Sequence, residues 1–216
     1  MARPRQYDED LRVALIETAA RILAEEGQSA VSTRRVATET DTTTAAIYAL
    51  LGNKRELLRA VFHEGFRRLG ERIEQTRPTS GPLERVIAQS EAYFDNAWDN
   101  PNLYAVMFGS PPADYQPDDA DLAYALDRLQ LLVDAVADCV AAGLLAGDPR
   151  SLALELWATS HGACMLAIVG LLGSEADART HHRRMCRAMF TGLATLAPAP
   201  PTSGPGTGIS GAARAR

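Results

Sequence analysis

The stretch STRRVATETDTTTAAIYALLGN, residues 32–53, constrains the fold of this chain most. Ser32 and Thr33 are both good amino caps, and the segment they open runs through Val36 and Ala37 to about Thr40. Asp41 follows. A second segment opens at Thr43 and carries Ile47, Tyr48, Leu50 and Leu51 before Gly52 breaks it. Two short helices with about three residues between them predict a helix-turn-helix.

The flanking sequence is helical as well. Leu11, Leu15, Ala19, Ile22 and Leu23 form an apolar stripe of helical period. Gly27 then stops that helix as a left-handed carboxyl cap would. Asn53 caps a fourth helix with Glu56 as its capping-box partner, and the stripe there is Leu58, Phe62, Leu69 and Ile73. TRPTSGP, residues 76–82, reads as a linker, with Pro82 at the first position of the next helix. Asn100–Pro101 and GSPPADYQPDD, residues 109–119, interrupt the pattern twice more. A long helix is expected from about Asp119 to Ala142, another from the stop at 147–149 to about Leu172, and a last one from Glu175 to Leu196. From Pro198 the sequence is rich in Pro, Gly and Ser without periodicity, and it reads as a disordered tail over 198–216. There is no internal repeat and no convincing strand, so the expected class is all-α. The units are a helix-turn-helix domain over 1–56 and a larger helical body over 57–197.

Net charge is −5, which by itself argues against a nucleic-acid partner, but the distribution argues the other way. Residues 1–77 carry 13 basic and 12 acidic groups, whereas 78–196 carry 7 and 15. A binding protein needs a positive face rather than a positive total. The cysteines at 139, 164 and 186 have neither metal-ligand spacing nor an even disulfide set, which fits a reduced cytoplasmic protein with no metal or cofactor. The longest uncharged stretch, 156–174, is broken by polar residues and glycines and reads as a buried helix, with no membrane partner.

A helix-turn-helix reads DNA with the first residues of its second helix. Here those are Thr43, Thr44, Ala45 and Ala46. Threonine hydroxyls bond base edges or phosphates, and small methyl-bearing side chains touch thymine methyls. Tyr48 is one turn on and offers a hydroxyl to phosphate. Lys54, the only lysine beside 21 arginines, stands at the amino end of the next helix, where free N–H groups and the dipole also favour an anion. The alternative is that Lys54 is a solvated surface residue, and helix-turn-helix shapes also occur without DNA function. Arg34 and Arg35, in the helix that crosses the backbone, are better placed, and Arg34 is favoured of the two. Arg3 and Arg5, ahead of the first helix, either enter a minor groove or belong to a frayed terminus.

Residues 9–62 resemble the amino-terminal domain of the TetR family of bacterial transcriptional regulators. ALIETAARILAEEG and STRRVATETDTTTAAIYALLGNKRELLRAVF carry the likeness. The resemblance implies phosphate contacts from Thr33, Thr43, Tyr48 and Lys54, and base contacts from Thr44, Ala45 and Ala49. Asp41 stands where the family's turn usually has glycine, Thr42 replaces an aliphatic residue and Leu51 the usual Phe. Asp tolerates a left-handed backbone, so the turn survives.

Residues 82–196 resemble that family's ligand-binding domain more loosely, in the subtype marked by Trp, His and Gly, here Trp157, His161 and Gly162. Trp157 and His161 are four apart and share a helix face. One reading makes Trp157 core, His161 a hydrogen-bonded core group and Gly162 a helix crossing. The other is an apolar effector pocket with His161 as polar anchor and walls from Trp98, Tyr104, Met107, Phe108 and Trp157. Ala163, Ala167 and Gly170 in one helix and Met185, Met189 and Leu193 in the next suit a homodimer interface, against a monomer that packs them internally. The expectation is a homodimeric repressor that binds double-stranded operator DNA and is released by an unknown, largely apolar small molecule. The rivals are an all-helical enzyme with His161 as base, for which no facing nucleophile is evident, and a dimeric scaffold that binds no DNA.

Overall fold

The computed structural model describes residues 5–76, 81–109 and 113–196. Among them are nine α-helices and no strand. They are α1 (Arg5–Glu26), α2 (Thr33–Glu39), α3 (Thr44–Leu50), α4 (Lys54–Glu74), α5 (Pro82–Asp99), α6 (Pro101–Phe108), α7 (Asp119–Ala141), α8 (Pro149–Ile168) and α9 (Glu175–Thr195). A short 3-10 turn, Gln28–Ala30, joins α1 to α2. The tail expected over 198–216 and most of the 76–82 linker lie outside the described residues.

Each short helix begins where a side chain can take an orphan N–H. Ser32 Oγ accepts from the Arg35 N–H, Thr43 Oγ1 from Ala46 and Asn53 Oδ1 from Glu56. The Glu56 carboxylate turns to Arg55 instead of answering the cap. Complete capping boxes form at α7, between Asp118 and Asp121, and at α9, between Ser174 and Asp177. Between α2 and α3 the backbone passes through Asp41 at φ 50°, the one non-glycine in the left-handed region among the described residues. α8 stops at Ile168, short of Leu172, because Gly170 turns the chain at φ 77°.

α2 and α3 are too short to stand alone, and Val36, Ala37 and Ile47 tie them to Leu15, Ile16, Ala19 and Ile22 of α1. α4 serves two sides. It packs on α1 and also on α5, α6 and α7, burying Leu57, Leu58, Val61, Phe62, Phe66, Leu69 and Ile73. Each such side chain contributes about 1.5–3 kcal/mol on leaving water, so α4 is held firmly along its length. At Gly65 a Cβ would stand 2.5 Å from Met107 Cγ, so α6 lies directly on α4 there. A second apolar cluster, including Val136, Leu152, Leu156, Phe190 and Leu193, joins α5, α7, α8 and α9.

Two expectations about α8 and α9 are corrected. Nothing lies within 4 Å of the place a Cβ would take at Gly162, so no other helix of this chain crosses there among the described residues. Ala163, Ala167 and Leu193 are consumed by packing within the chain. The apolar side chains left exposed here are Met165, Leu166, Val169, Leu171 and Met185.

Candidate functional site

The caps that start α3 also aim it. Ile47 is its buried residue, and one face on, Thr43, Ala45, Tyr48 and Ala49 are exposed and Thr44 is half-buried. Tyr48 is 57% exposed, far more than packing requires of an aromatic ring. Thr33, at the first turn of α2, is half-buried and Arg34 is exposed. The α3 residues expected to touch DNA therefore stand at the surface opposite Ile47.

The arginines of this unit divide into two kinds. Arg35 is locked between helices, with both terminal nitrogens on Glu26, at 2.6 and 2.8 Å, and Nε on Glu39 at 2.8 Å. Arg21 also pairs with Glu25 and Glu39. Arg34 makes no ion pair among the described residues, which leaves its guanidinium open to a phosphate. Arg5 does not precede α1 but begins it, and Arg3 lies outside the described residues.

Lys54 is the first residue of α4, as its position after Asn53 predicts, yet its ammonium is not bare. Nζ stands 2.6 Å from Oδ2 of Asp114, in the connection between α6 and α7. That connection touches the α1–α4 unit twice more. The Ala113 N–H donates to the Gln28 side chain in the α1–α2 turn, and Tyr115, 2% exposed, packs its ring against Phe62. Its hydroxyl donates to Asp121 Oδ2 at 2.8 Å. Asp121 is wholly buried and also takes Arg59 Nε at 2.7 Å and His63 Nε2 at 2.6 Å. Burial opposes its ionisation, but the bonds from His63, Arg59 and Tyr115 outweigh that and hold the carboxyl well below the usual carboxylate range. Sequence reading named neither Asp114 nor Asp121, and no local pattern marks a partner some 60 residues away.

Inside the body four of the six expected pocket residues meet. Tyr104, Phe108, Trp157 and His161 surround one hydrogen-bonded node, which also contains Tyr93, a residue not foreseen. Trp157 Nε1 donates to the Tyr93 hydroxyl at 3.0 Å, the Tyr93 and Tyr104 hydroxyls are 2.9 Å apart, and Tyr104 lies 2.7 Å from His161 Nδ1. An indole only donates, so Trp157 is the donor to Tyr93, and both tyrosine hydroxyls meet His161 Nδ1, that of Tyr93 at 3.1 Å. Burial lowers the His161 pKa, in keeping with a neutral ring. Phe108 packs on Tyr104 and His161, each at 4.8 Å between centroids. Burial pushes the nearby Cys164 thiol up to about 12, so it is no thiolate.

The other two expected pocket residues lie elsewhere. Trp98 stacks on Phe94. Met107 sits against Gly65 and lines a cleft of about 30 Å³ with Leu23, Leu58, Phe62, Val106 and Tyr115, room for little more than a water. His161 faces no serine. Ser160 instead lies 3.3 Å from His182 Nε2, with Cys186 at 3.4 Å, and all three are buried, out of reach of a substrate. Among the described residues no group of three or more metal-ligating side chains comes together, and no helix is long and apolar enough to cross a membrane.

Two family models match the chain. One, described as "Bacterial regulatory proteins, tetR family", covers residues 15–61, and the other, "Tetracyclin repressor-like, C-terminal domain", covers 86–189. Together they take in well over half of the sequence. Curated relatives include HTH-type transcriptional regulators from Mycobacterium tuberculosis and Mycobacterium bovis, 26% identical over 154 residues and 69% of this chain. The chain spans 64% of the length of those relatives. Among solved structures, a protein of unknown function from Rhodococcus sp. RHA1 is similar at a TM-score of 0.70 and 28% identity, over 85% of this chain and 95% of that one. A TetR family transcriptional regulator from Thermus thermophilus shares the fold at a TM-score of 0.66 and 19% identity, over 80% of this chain and 97% of that one.

Proposed function

Because the chain belongs to the tetR family of bacterial regulatory proteins, we propose that it is a cytoplasmic, DNA-binding transcriptional regulator, a homodimeric repressor released from its operator by a small, largely apolar effector. The observation that carries this reading is the exposed face of α3. Thr43, Ala45, Tyr48 and Ala49 stand out to solvent on a helix whose other side is anchored by Ile47. Thr44, Ala45 and Ala49 meet base edges; Thr33, Arg34, Thr43, Tyr48 and Lys54 hold phosphates.

Dimerisation is supported by a stripe on α8. Gly162, Met165, Leu166 and Val169 are exposed at offsets of a single helix face, and Met185 of α9 is exposed as well. Pairing these helices about a two-fold axis would bury the stripe and set two reading helices side by side, about 34–36 Å apart for successive major grooves. The effector enters at the node of Tyr93, Tyr104, Phe108, Trp157 and His161. His161 anchors it as the polar group of an otherwise aromatic lining, which favours a ligand with one polar group on an apolar body. The run Trp157, His161 and Gly162 supports the subtype marked by those residues. α6 carries Tyr104 and Phe108 and lies on α4, so rearrangement at the node reaches the reading head through α4.

The test is a titration into duplexes selected from random sequence, at two salt concentrations. Tight binding that weakens steeply with salt, and that is lost in Tyr48→Ala and Thr44→Ala, is the expected result. Equal affinity for selected and unselected duplexes would sink the regulator reading.

A further inference from the structure

We propose that Asp114 is an affinity-setting residue of the DNA interface: in the free protein its carboxylate occupies the place at Lys54 that a DNA phosphate takes in the complex. The inference rests on the DNA-binding reading and deepens it.

The chemistry at the two ends of the contact is the same. Lys54 is the first residue of a 21-residue helix, so its ammonium and the free N–H groups beside it make one anion site. A carboxylate 2.6 Å from Nζ pairs with that ammonium as a phosphate oxygen would. A phosphate brought to the same ammonium would stand beside the Asp114 carboxylate and be repelled by it, so DNA binding favours release of Asp114.

The connection from α6 to α7 is built for such an exchange at one end only. Asp121 is fully buried with donors from Arg59, His63 and Tyr115, and Tyr115 itself is buried against Phe62. That end stays on α4, because moving it would leave buried charge without partners. Asp114 is different. Its side chain is 54% exposed, and swinging into water costs little. The anchored residues next to it hold its carboxylate beside Lys54 at high effective concentration. Asp114 is therefore a releasable competitor tethered by a fixed neighbour.

The test is a double-mutant cycle on operator affinity, using a duplex selected from random sequence and the full chain. Asp114→Asn is isosteric and exposed, and circular dichroism checks that its helices are intact. Removing the competitor should tighten binding about three-fold per reading head. Lys54→Met should weaken binding, and Asp114→Asn made in that background should change nothing. Tightening of equal size with and without Lys54 would mean that Asp114 acts only as a diffuse negative charge, and the proposal falls. No tightening at all also overturns it. If none of the four proteins prefers the selected duplex to random DNA, the regulator reading itself fails, an outcome distinct from binding without coupling.

Discussion

Arg59 on α4 donates its Nε–H to Asp121 at the start of α7, 2.7 Å away and 62 positions later in the sequence. This bond and its neighbour from His63 fasten the helix that carries the reading head to the body behind it. Asp121 is out of water, so removing its carboxylate strands the Arg59 guanidinium without its acceptor.

Asp121→Ala should destabilise the protein by about 3 kcal/mol in chemical denaturation at neutral pH, because half of a buried charged cluster is removed. The folded-state pKa of Asp121 is depressed. Its contribution is therefore complete above the ordinary aspartate range, about pH 4, and is lost as pH falls through that range and below. The stability gap between the wild type and Asp121→Asn should narrow as pH is lowered from about 5 towards 2. A constant gap would show that Asp121 is not held ionised by these donors.

His182 should report acid in a milder range. Burial pushes its imidazole down to about 4, while an unfolded histidine titrates near about 6.5. Protons then bind the unfolded chain first, and stability drops as pH falls from about 6.5 towards 4, by up to about 1.4 kcal/mol per unit. Urea midpoints between pH 7 and 5 should slope downwards in the wild type and less so in His182→Gln.

Gly65→Ala should lower the thermal midpoint although alanine is the better helix former. The new methyl would meet Met107 Cγ at 2.5 Å and Sδ at 2.6 Å, and such overpacking costs about 1–3 kcal/mol. In a Met107→Ala background the same substitution should reverse sign and stabilise by up to about 1 kcal/mol, the propensity difference alone.

Arg34 and Arg35 are neighbours with opposite expected phenotypes. Arg34→Ala should leave stability unchanged and reduce the salt dependence of DNA binding by about one ion. Arg35→Ala should lower stability, because Glu26 and Glu39 lose the cation that ties α2 to α1. A salt slope in Arg34→Ala equal to that of the wild type would show that Arg34 holds no phosphate.

Local chemistry was legible in the sequence. Ser32, Thr43 and Asn53 cap the helices they were read to cap, and Asp41 takes the left-handed turn expected of it, because caps and turns depend on residues within a few positions. Tyr104, Phe108, Trp157 and His161 could be drawn together because Trp157 and His161 share a helix face and the other two share α6. What stayed hidden was longer in range. Tyr93 looks like any aromatic on an apolar stripe until Trp157 reaches it from 64 positions away. Trp98, one helix turn past Phe94, stacks back on it and leaves the node. Lys54 stands where its spacing said, but sequence could not reveal that a carboxylate 60 residues later already holds it. The apolar face of α8 was placed one step around the helix, on Ala163 and Ala167, because periodicity reveals a stripe without saying which side of it the rest of the chain covers.

The length of α4 has a mechanical consequence. Its 21 residues make a rod of about 31 Å, packed along its sides by apolar contacts that resist bending. A tilt of about 5° about its far end would carry Lys54 sideways by nearly 3 Å over that span. That exceeds the tolerance of a hydrogen bond to phosphate. Small angular play in the body is thus geared up at the tip, and the grip on DNA proposed for Lys54 is sensitive to displacements too slight to disturb the core.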